Sequence, residues 1–465
     1  MKIINYLIEL ALETKTNAIT REAYNSAKKV MLDTIGVMYA GYNQPGIKES
    51  IELMKDWGGK KEASIFFDGT KIPAANAGFI NSGIIHAADY DDTHKYCDMH
   101  IMSTIFPTAI ACSEINPCSG SDFLASLILG VEVSIRIALL FKEKKNNEKK
   151  YLLLSPGGFL PSSIIGGFGS VAVAARLLNI SKKKTKNALG LYYAQAAGNR
   201  QGLLDHTLTK RFQPGFSVRS ALWAIFLADK NITGPHNTFD GKMSLFPVYA
   251  NTKPPAFSEI SKIKNYFEIE RISIKKFPSC GACHTATQAA IDLAIENDLK
   301  PEDIKYVELR MPGGTGGIVS YPFKMSNNPQ ASAQFNAPYG VALGLSYRKA
   351  ELIHYLDKQI KKDKKTAKLA KSIKIVPEIT GAPADIKNAD FLHAVTVITK
   401  NGKILQKILN HKKLWTPDKT NFTFVEKKFY KCIAFSQLIN NQKAETILKY
   451  IKTLEKKSSF NPCLL

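Results

Sequence analysis

Along residues 1–267 the apolar positions recur at helical spacing. Leu7, Leu10 and Ala11 fall on one face, and so do Val30, Leu32, Ile35, Gly36 and Tyr39. Further apolar helical stretches are expected at 101–115, 123–141, 163–178 and 218–227. Several are apolar nearly all round, the pattern of helices buried in the centre of a large bundle. Gly166, Gly169, Ser170, Ala172, Ala174 and Ala175 are small enough to let such helices approach closely. There is no repeat of solenoid length.

The texture changes near residue 268. Segments 272–277, 306–311 and 372–376 have strand character between helices, and 394–399 and 404–408 flank an Asn401-Gly402 turn. That arrangement predicts a β-hairpin. After Leu409 the helical pattern returns at 425–438 and 444–454. The expected fold is mainly α: a large all-helical domain (1–267 and 409–465) with a smaller α/β lid domain (268–408) inserted into it.

Composition narrows the class. The chain has 465 residues, 45% hydrophobic and 22% charged, which fits a globular protein of more than one domain. The amphipathic start carries Glu9 and Glu13, so no secretory signal is read there. Segment 123–141 is apolar enough for a membrane, but Glu132 and Arg136 near its middle favour a buried helix. Seven irregularly spaced cysteines suggest free thiols in a reducing cytoplasm. The net charge of +23 comes mostly from lysine runs at 142–150, 182–186 and 358–374 without interleaved aromatics. A solvated surface is expected, with no nucleic-acid or membrane partner.

Three segments carry candidate chemistry. The stretch from His86 to His100 holds three histidines and four aspartates, among them Asp89, Asp91 and Asp92. It suits a divalent metal, metal-free acid–base chemistry, or a loop in which Asp92 and Thr93 cap helices. Lys275-Lys276-Phe277-Pro278-Ser279-Cys280 precedes Cys283 and His284. The CxxCH spacing matches haem attachment or part of an iron–sulfur site. A strand-to-helix turn with an anion site at the helix N-terminus fits better. Thr209-Lys210-Arg211 is a basic patch opening an apolar helix.

Taken in order, these segments resemble the MmgE/PrpD family. The resemblance rests on Asn81-Ser82-Gly83 through Asp89-Tyr90-Asp91-Asp92-Thr93, on Thr209-Lys210-Arg211, and on Ile274-Lys275-Lys276-Phe277-Pro278-Ser279-Cys280 with His284. Gly130-Val131-Glu132-Val133, Phe159 with Pro161-Ser162, and Phe335-Asn336-Ala337-Pro338-Tyr339 extend it over nearly the whole chain. Family members include 2-methylcitrate dehydratase, cis-aconitate decarboxylase and an iminodisuccinate epimerase. The resemblance implies a homodimer, a site between the two domains, and no metal or organic cofactor. It assigns catalysis to Asp89, His100, Lys210, Lys275 and Tyr339, and substrate binding to Thr93, Arg211, Lys276, Cys280 and His284. It implies a lyase that removes a proton α to a carboxylate of a small anionic polycarboxylate. The 2-methylcitrate dehydratase type is favoured; decarboxylase, epimerase or a non-catalytic role are the alternatives. There are departures. Leu160 and Cys280 stand where histidines are common, and the Thr93–His100 loop is one residue longer than in the decarboxylase-type pattern.

Overall fold

The computed structural model describes residues 2–94, 96–145, 148–151, 158–261, 266–312, 318–376, 392–410, 414 and 421–465, and it is mainly α-helical. Helices Arg21–Gly41, Ala74–Ala87, Met102–Ile115, Gly120–Leu140, Pro161–Leu177 and Thr209–Asp229 form the body. Gly120–Leu140 is long and apolar enough to cross a membrane, yet its most apolar window is wholly buried inside the protein. Glu132 and Arg136 are paired within it, Nε to Oε1 at 2.6 Å. Its crossing with Pro161–Leu177 depends on glycine. A Cβ on Gly169 would fall 2.3 Å from the Gly130 carbonyl oxygen, and one on Gly130 would fall 2.3 Å from Val173.

A second apolar cluster surrounds a four-stranded sheet. Its order is Ile404–Asn410, Leu392–Thr399, Ile304–Arg310, Lys374–Val376, and only the last pair is parallel. Helices Gly281–Glu296 and Ala337–Tyr347 pack against each other in this unit, and the first of them lies on the sheet. The expected hairpin forms with Gly402 at φ +85°, the left-handed conformation that a bulged turn requires of glycine. One core cluster draws on Ile3 to Ile274 and again on Val425 to Leu465, the other on Phe277 to Leu405. The C-terminal helices Phe422–Ser436 and Asn441–Lys452 therefore rejoin the body. There Lys428 Nζ meets the buried Asp33 carboxylate at 2.8 Å.

The expected strand at 272–277 is cut short. Only Ile272–Ser273 is extended into a ladder, and its partner is Thr93–His94 rather than the four-stranded sheet. Beyond it the chain turns: Pro278 has no N–H to give, and the Cys280 N–H goes to the Gln334 carbonyl at 2.8 Å. The lysine runs at 182–186 and 358–374 lie largely on exposed helix faces, as a solvated surface requires. The side chains of 142–150 lie outside the described residues.

Candidate active site

Helix Ala74–Ala87 is apolar to its end, and the chain leaves it through Asp89 in the left-handed region (φ 48°), which aspartate tolerates better than most residues. The Asp89 carboxylate is 1% exposed. Lys210, in the first turn of Thr209–Asp229, donates to Oδ1. Lys275 donates to Oδ2 at 3.0 Å and to the Asp89 carbonyl oxygen at 2.9 Å. Lys275 reaches this point because the short ladder pairs Ser273 with Thr93. Burial alone would raise the Asp89 carboxyl, but Lys210 and then Lys275 outweigh it and hold the group well below 3.8. Burial would likewise lower Lys275, yet Asp89 and Asp91 lift it above 10.5. The centre is thus two ammonium groups sharing one carboxylate, with the Asp91 carboxylate close enough to act on Lys275. The Phe335 ring covers Lys210 Nζ at 5.0 Å.

Two imidazoles stand beside this centre, their rings 5.1 Å apart. His100 Nδ1 is 2.7 Å from the Asp92 carbonyl oxygen, which can only accept, so Nδ1 carries the proton and Nε2 carries the lone pair. Burial, and then Lys275, push His100 well below 6.5. His86 Nδ1 lies 2.7 Å from Asp91 Oδ2. Burial would raise Asp91, but His86 and His100 pull it below the ordinary carboxylate range. Asp91 therefore accepts from His86 and orients it. Burial lowers His86 as well. Both rings are neutral near pH 7, each held at Nδ1. His86 Nε2 and Asp91 Oδ1 are buried without a hydrogen-bond partner among the described residues. Orphan polar atoms of this kind call for a polar ligand. Asp92 fulfils the capping expectation from a distance, with its oxygens accepting the N–H groups of Ile101 and Met102 at 3.2 and 3.1 Å.

The remaining sequence-predicted residues divide. Thr93 stays at the site, with Oγ1 3.4 Å from His100 Nδ1. Cys280 N-caps helix Gly281–Glu296 through its backbone. Burial, and then Asp89, raise its thiol, while Lys275 and Lys210 oppose that shift. Lys276 is turned away: adjacent residues of an extended chain face opposite sides, and its Nζ rests on Gln288 at 2.7 Å. Arg211 is buried and joins the two units, donating to the Pro45 carbonyl and, at 3.0 Å, to Gln330 Oε1. His284 lies 3.2 Å from the Ser279 carbonyl oxygen and supports the turn before its own helix. Tyr339 is 1% exposed and donates to the His354 carbonyl at 3.1 Å. Tyr339 packs against Tyr355, rings 5.9 Å apart, and burial pushes the Tyr355 phenol up, with the Asp89 charge a lesser push in the same direction. The roles assigned from sequence left out His86, Asp91 and Tyr355. The first two lay within the polar cluster, but their pairing had no local signature.

His86, Asp89 and Asp91 bring their ligand atoms within 4.8 Å of one another, close enough for a metal ion. The donor set does not fit one. Both Asp89 oxygens are engaged by ammonium groups, and those charges would oppose a divalent cation. The CxxC does not fit a cluster or haem either. Cys283 is buried in the apolar core of the second unit, where burial raises its thiol well above 9.0.

A helical body, a sheet-bearing unit between its two halves, and a centre built of lysine, carboxylate and imidazole define the class. The profile of the MmgE/PrpD N-terminal domain matches residues 5–258, and that of the MmgE/PrpD C-terminal domain matches 277–456. The chain belongs to the MmgE/PrpD family. It is similar to cis-aconitate decarboxylase of Homo sapiens, with 26% identity over 68% of this chain and 65% of that protein. The mouse enzyme matches at 26%, over 64% of this chain and 61% of that one. A cis-aconitate decarboxylase-like protein, oryM, of Aspergillus oryzae matches at 24%, over 62% and 60%. The chain thus spans less than two thirds of the length of these relatives.

Proposed function

We propose that this protein is a lyase that forms a carbanion α to a carboxylate of a small polycarboxylate, with dehydration of a 2-methylcitrate-like hydroxy acid as the first reading. One observation carries it: Lys210 and Lys275, from distant parts of the chain, converge on Asp89 beside two imidazoles kept neutral. Removing a proton next to a carboxylate builds a dianionic enolate, which needs fixed positive charge in a site poor in water. The two ammonium groups supply that charge. Asp89, held ionised, is a weak base and serves to position them. His100 Nε2 is the better base, because its lone pair is available at neutral pH. The Cα–H proton goes to His100, and the leaving hydroxyl takes a proton from Lys210 and departs as water. The N-terminus of helix Gly281–Glu296 has no side-chain cap, and a Cβ on Gly281 would meet nothing within 4 Å. It suits a second carboxylate of the substrate.

Decarboxylation is the second reading, favoured by the relatives. It needs a proton delivered to carbon, which neutral imidazoles do not provide and the ammonium groups would. Cys280 and Leu160 weigh on the same choice. Leu160 is buried at the head of helix Pro161–Leu177, two residues before Ser162, whose Oγ accepts the His100 N–H at 2.9 Å. The proposal as a whole, under either reaction, includes closure of the second unit over the site as a lid, a homodimer, and residence in the cytoplasm.

Incubation with 2-methylcitrate, citrate, cis-aconitate and iminodisuccinate in heavy water tests the proposal, read by proton NMR and mass spectrometry. Loss of water from 2-methylcitrate supports the first reading. Carbon dioxide from cis-aconitate supports the second, and deuterium uptake without net conversion indicates epimerisation. If none of the four acids reacts or exchanges, the enzyme reading fails.

A further inference from the structure

A cavity of about 470 Å³ lies against the residues that follow Asp89 and Lys275 in the chain. It is lined by Tyr90 and Lys276 and contains none of Asp89, His100, Lys210 or Lys275. Its walls come from both units: residues 348–353 and Phe277 on one side, helix Phe422–Ser436 on the other. Six cations line it, Lys276, Arg348, Lys349, Lys427, Lys428 and Lys431, and one carboxylate, Glu351; Asp298 and Asp33, outside the lining, already pair Arg348 and Lys428, so the excess rests on Lys276, Lys427 and the Lys349–Lys431 pair. Glu351 is already shared between Lys349 at 3.2 Å and Lys431 at 3.4 Å. The rest of the lining is apolar, with Phe277, Leu352, Phe424 and Phe435.

We propose that this cavity is a second binding site, distinct from the catalytic centre, for a small organic anion with a flat apolar body, such as an aryl phosphate. The volume lies within the range of small-molecule sites, about 300–1,000 Å³. The cationic excess selects a phosphate or carboxylate, and the aromatic walls reward an apolar group attached to it. A second copy of a chain with net charge +23 would bring like charge to this face. The cavity also shares its wall with the catalytic centre. Lys428 Nζ donates to the Tyr90 carbonyl at 2.7 Å and lies 3.8 Å from the centre of the Tyr90 ring. The Tyr90 hydroxyl donates to the Lys276 carbonyl at 3.1 Å. An anion in the cavity thus lies against a wall that includes the residues directly following Asp89 and Lys275.

Calorimetric titration of the full chain with phenyl phosphate and with inorganic phosphate tests this site and requires no catalytic activity. Phenyl phosphate is expected to bind one to one, at least ten times more tightly than inorganic phosphate. The double variant Lys427→Glu/Lys431→Glu should weaken it at least tenfold, whereas Lys210→Met should leave it within twofold. Absence of saturable binding overturns the proposal. So does binding that is lost in Lys210→Met and kept in the charge-reversed variant, because the anion then sits at Asp89. If the double variant melts early, the uncharged Ala434→Trp, which adds an indole to the cavity lining, must weaken phenyl phosphate instead. Unchanged affinity there also overturns the site.

Discussion

Replacing Lys275 with methionine removes one ammonium group from Asp89 and keeps most of the side-chain volume. Two charge-assisted hydrogen bonds are lost, at 3.0 and 2.9 Å, between groups that are 4% and 1% exposed. Removing one partner of a buried ion pair typically costs about 3–5 kcal/mol, since the other charge stays buried. Lys210 remains on the second oxygen, so the expected loss of folding stability is about 2–4 kcal/mol. The pH dependence follows from the two shifts. Asp89 titrates below 3.8 in the folded chain, so its contribution is present above that value and is lost as pH falls through the folded value. Lys275 titrates above 10.5, so its contribution is present below that value and is lost as pH rises past the folded one. The stability gap between wild type and variant should be flat from about pH 5 to 9 and narrow outside that range. Guanidinium unfolding at several pH values measures it. In the still-folded variant, turnover or substrate binding should fall at least ~10-fold, about 1.4 kcal/mol. Wild-type stability together with wild-type kinetics would refute the shared-carboxylate centre.

His100→Asn should abolish deuterium uptake into the substrate. In the wild type, activity should rise through an apparent pKa below 6.5 and then stay flat to pH 9, because burial and Lys275 keep the imidazole neutral; a rate that still climbs above pH 7 would exclude His100 as the base. Glu132 is buried and pushed up to about 7 from 4.5, so the folded chain holds its proton more tightly than the unfolded one. Its ionisation should lower stability by about 3 kcal/mol between pH 4.5 and 7, and Glu132→Gln should remove that slope in urea unfolding. Gly169→Ala places a methyl 2.3 Å from the Gly130 carbonyl oxygen, so a loss of about 1–3 kcal/mol should appear as a lower melting temperature. Exhaustive chelation should leave activity intact, and an enzyme that loses activity to chelator would return the His86–Asp89–Asp91 cluster to the metal reading.

The helices could be read from the sequence because their signal is local. The apolar stretch around Phe123 and the small residues around Gly169 needed only spacing and size to mark buried helices that pass close together. The hairpin at Asn401-Gly402 was equally plain, since glycine alone enters the left-handed region freely. The polar cluster from His86 to His100 stood out by composition, and Asp89, Lys210 and Lys275 stood out by their resemblance to family motifs. Roles within those motifs were harder to read. Lys275 and Lys276 are equivalent as letters, and only the direction of an extended chain after the Thr93–Ser273 pairing sends one to Asp89 and the other to a different cavity. Tyr339 carried the motif, yet its hydroxyl went to the His354 backbone carbonyl.

What the sequence determined by itself was therefore the inventory: which stretches are helical and buried, where the chain changes texture, and which charged residues it carries. The tertiary structure decided the pairings. Long-range contacts brought residues 89, 210 and 275 to one buried point, and left His86 and His100 neutral by removing water from around them. Proton affinity and charge sharing depend on distance and solvent exclusion in three dimensions, which residue order along the chain does not encode.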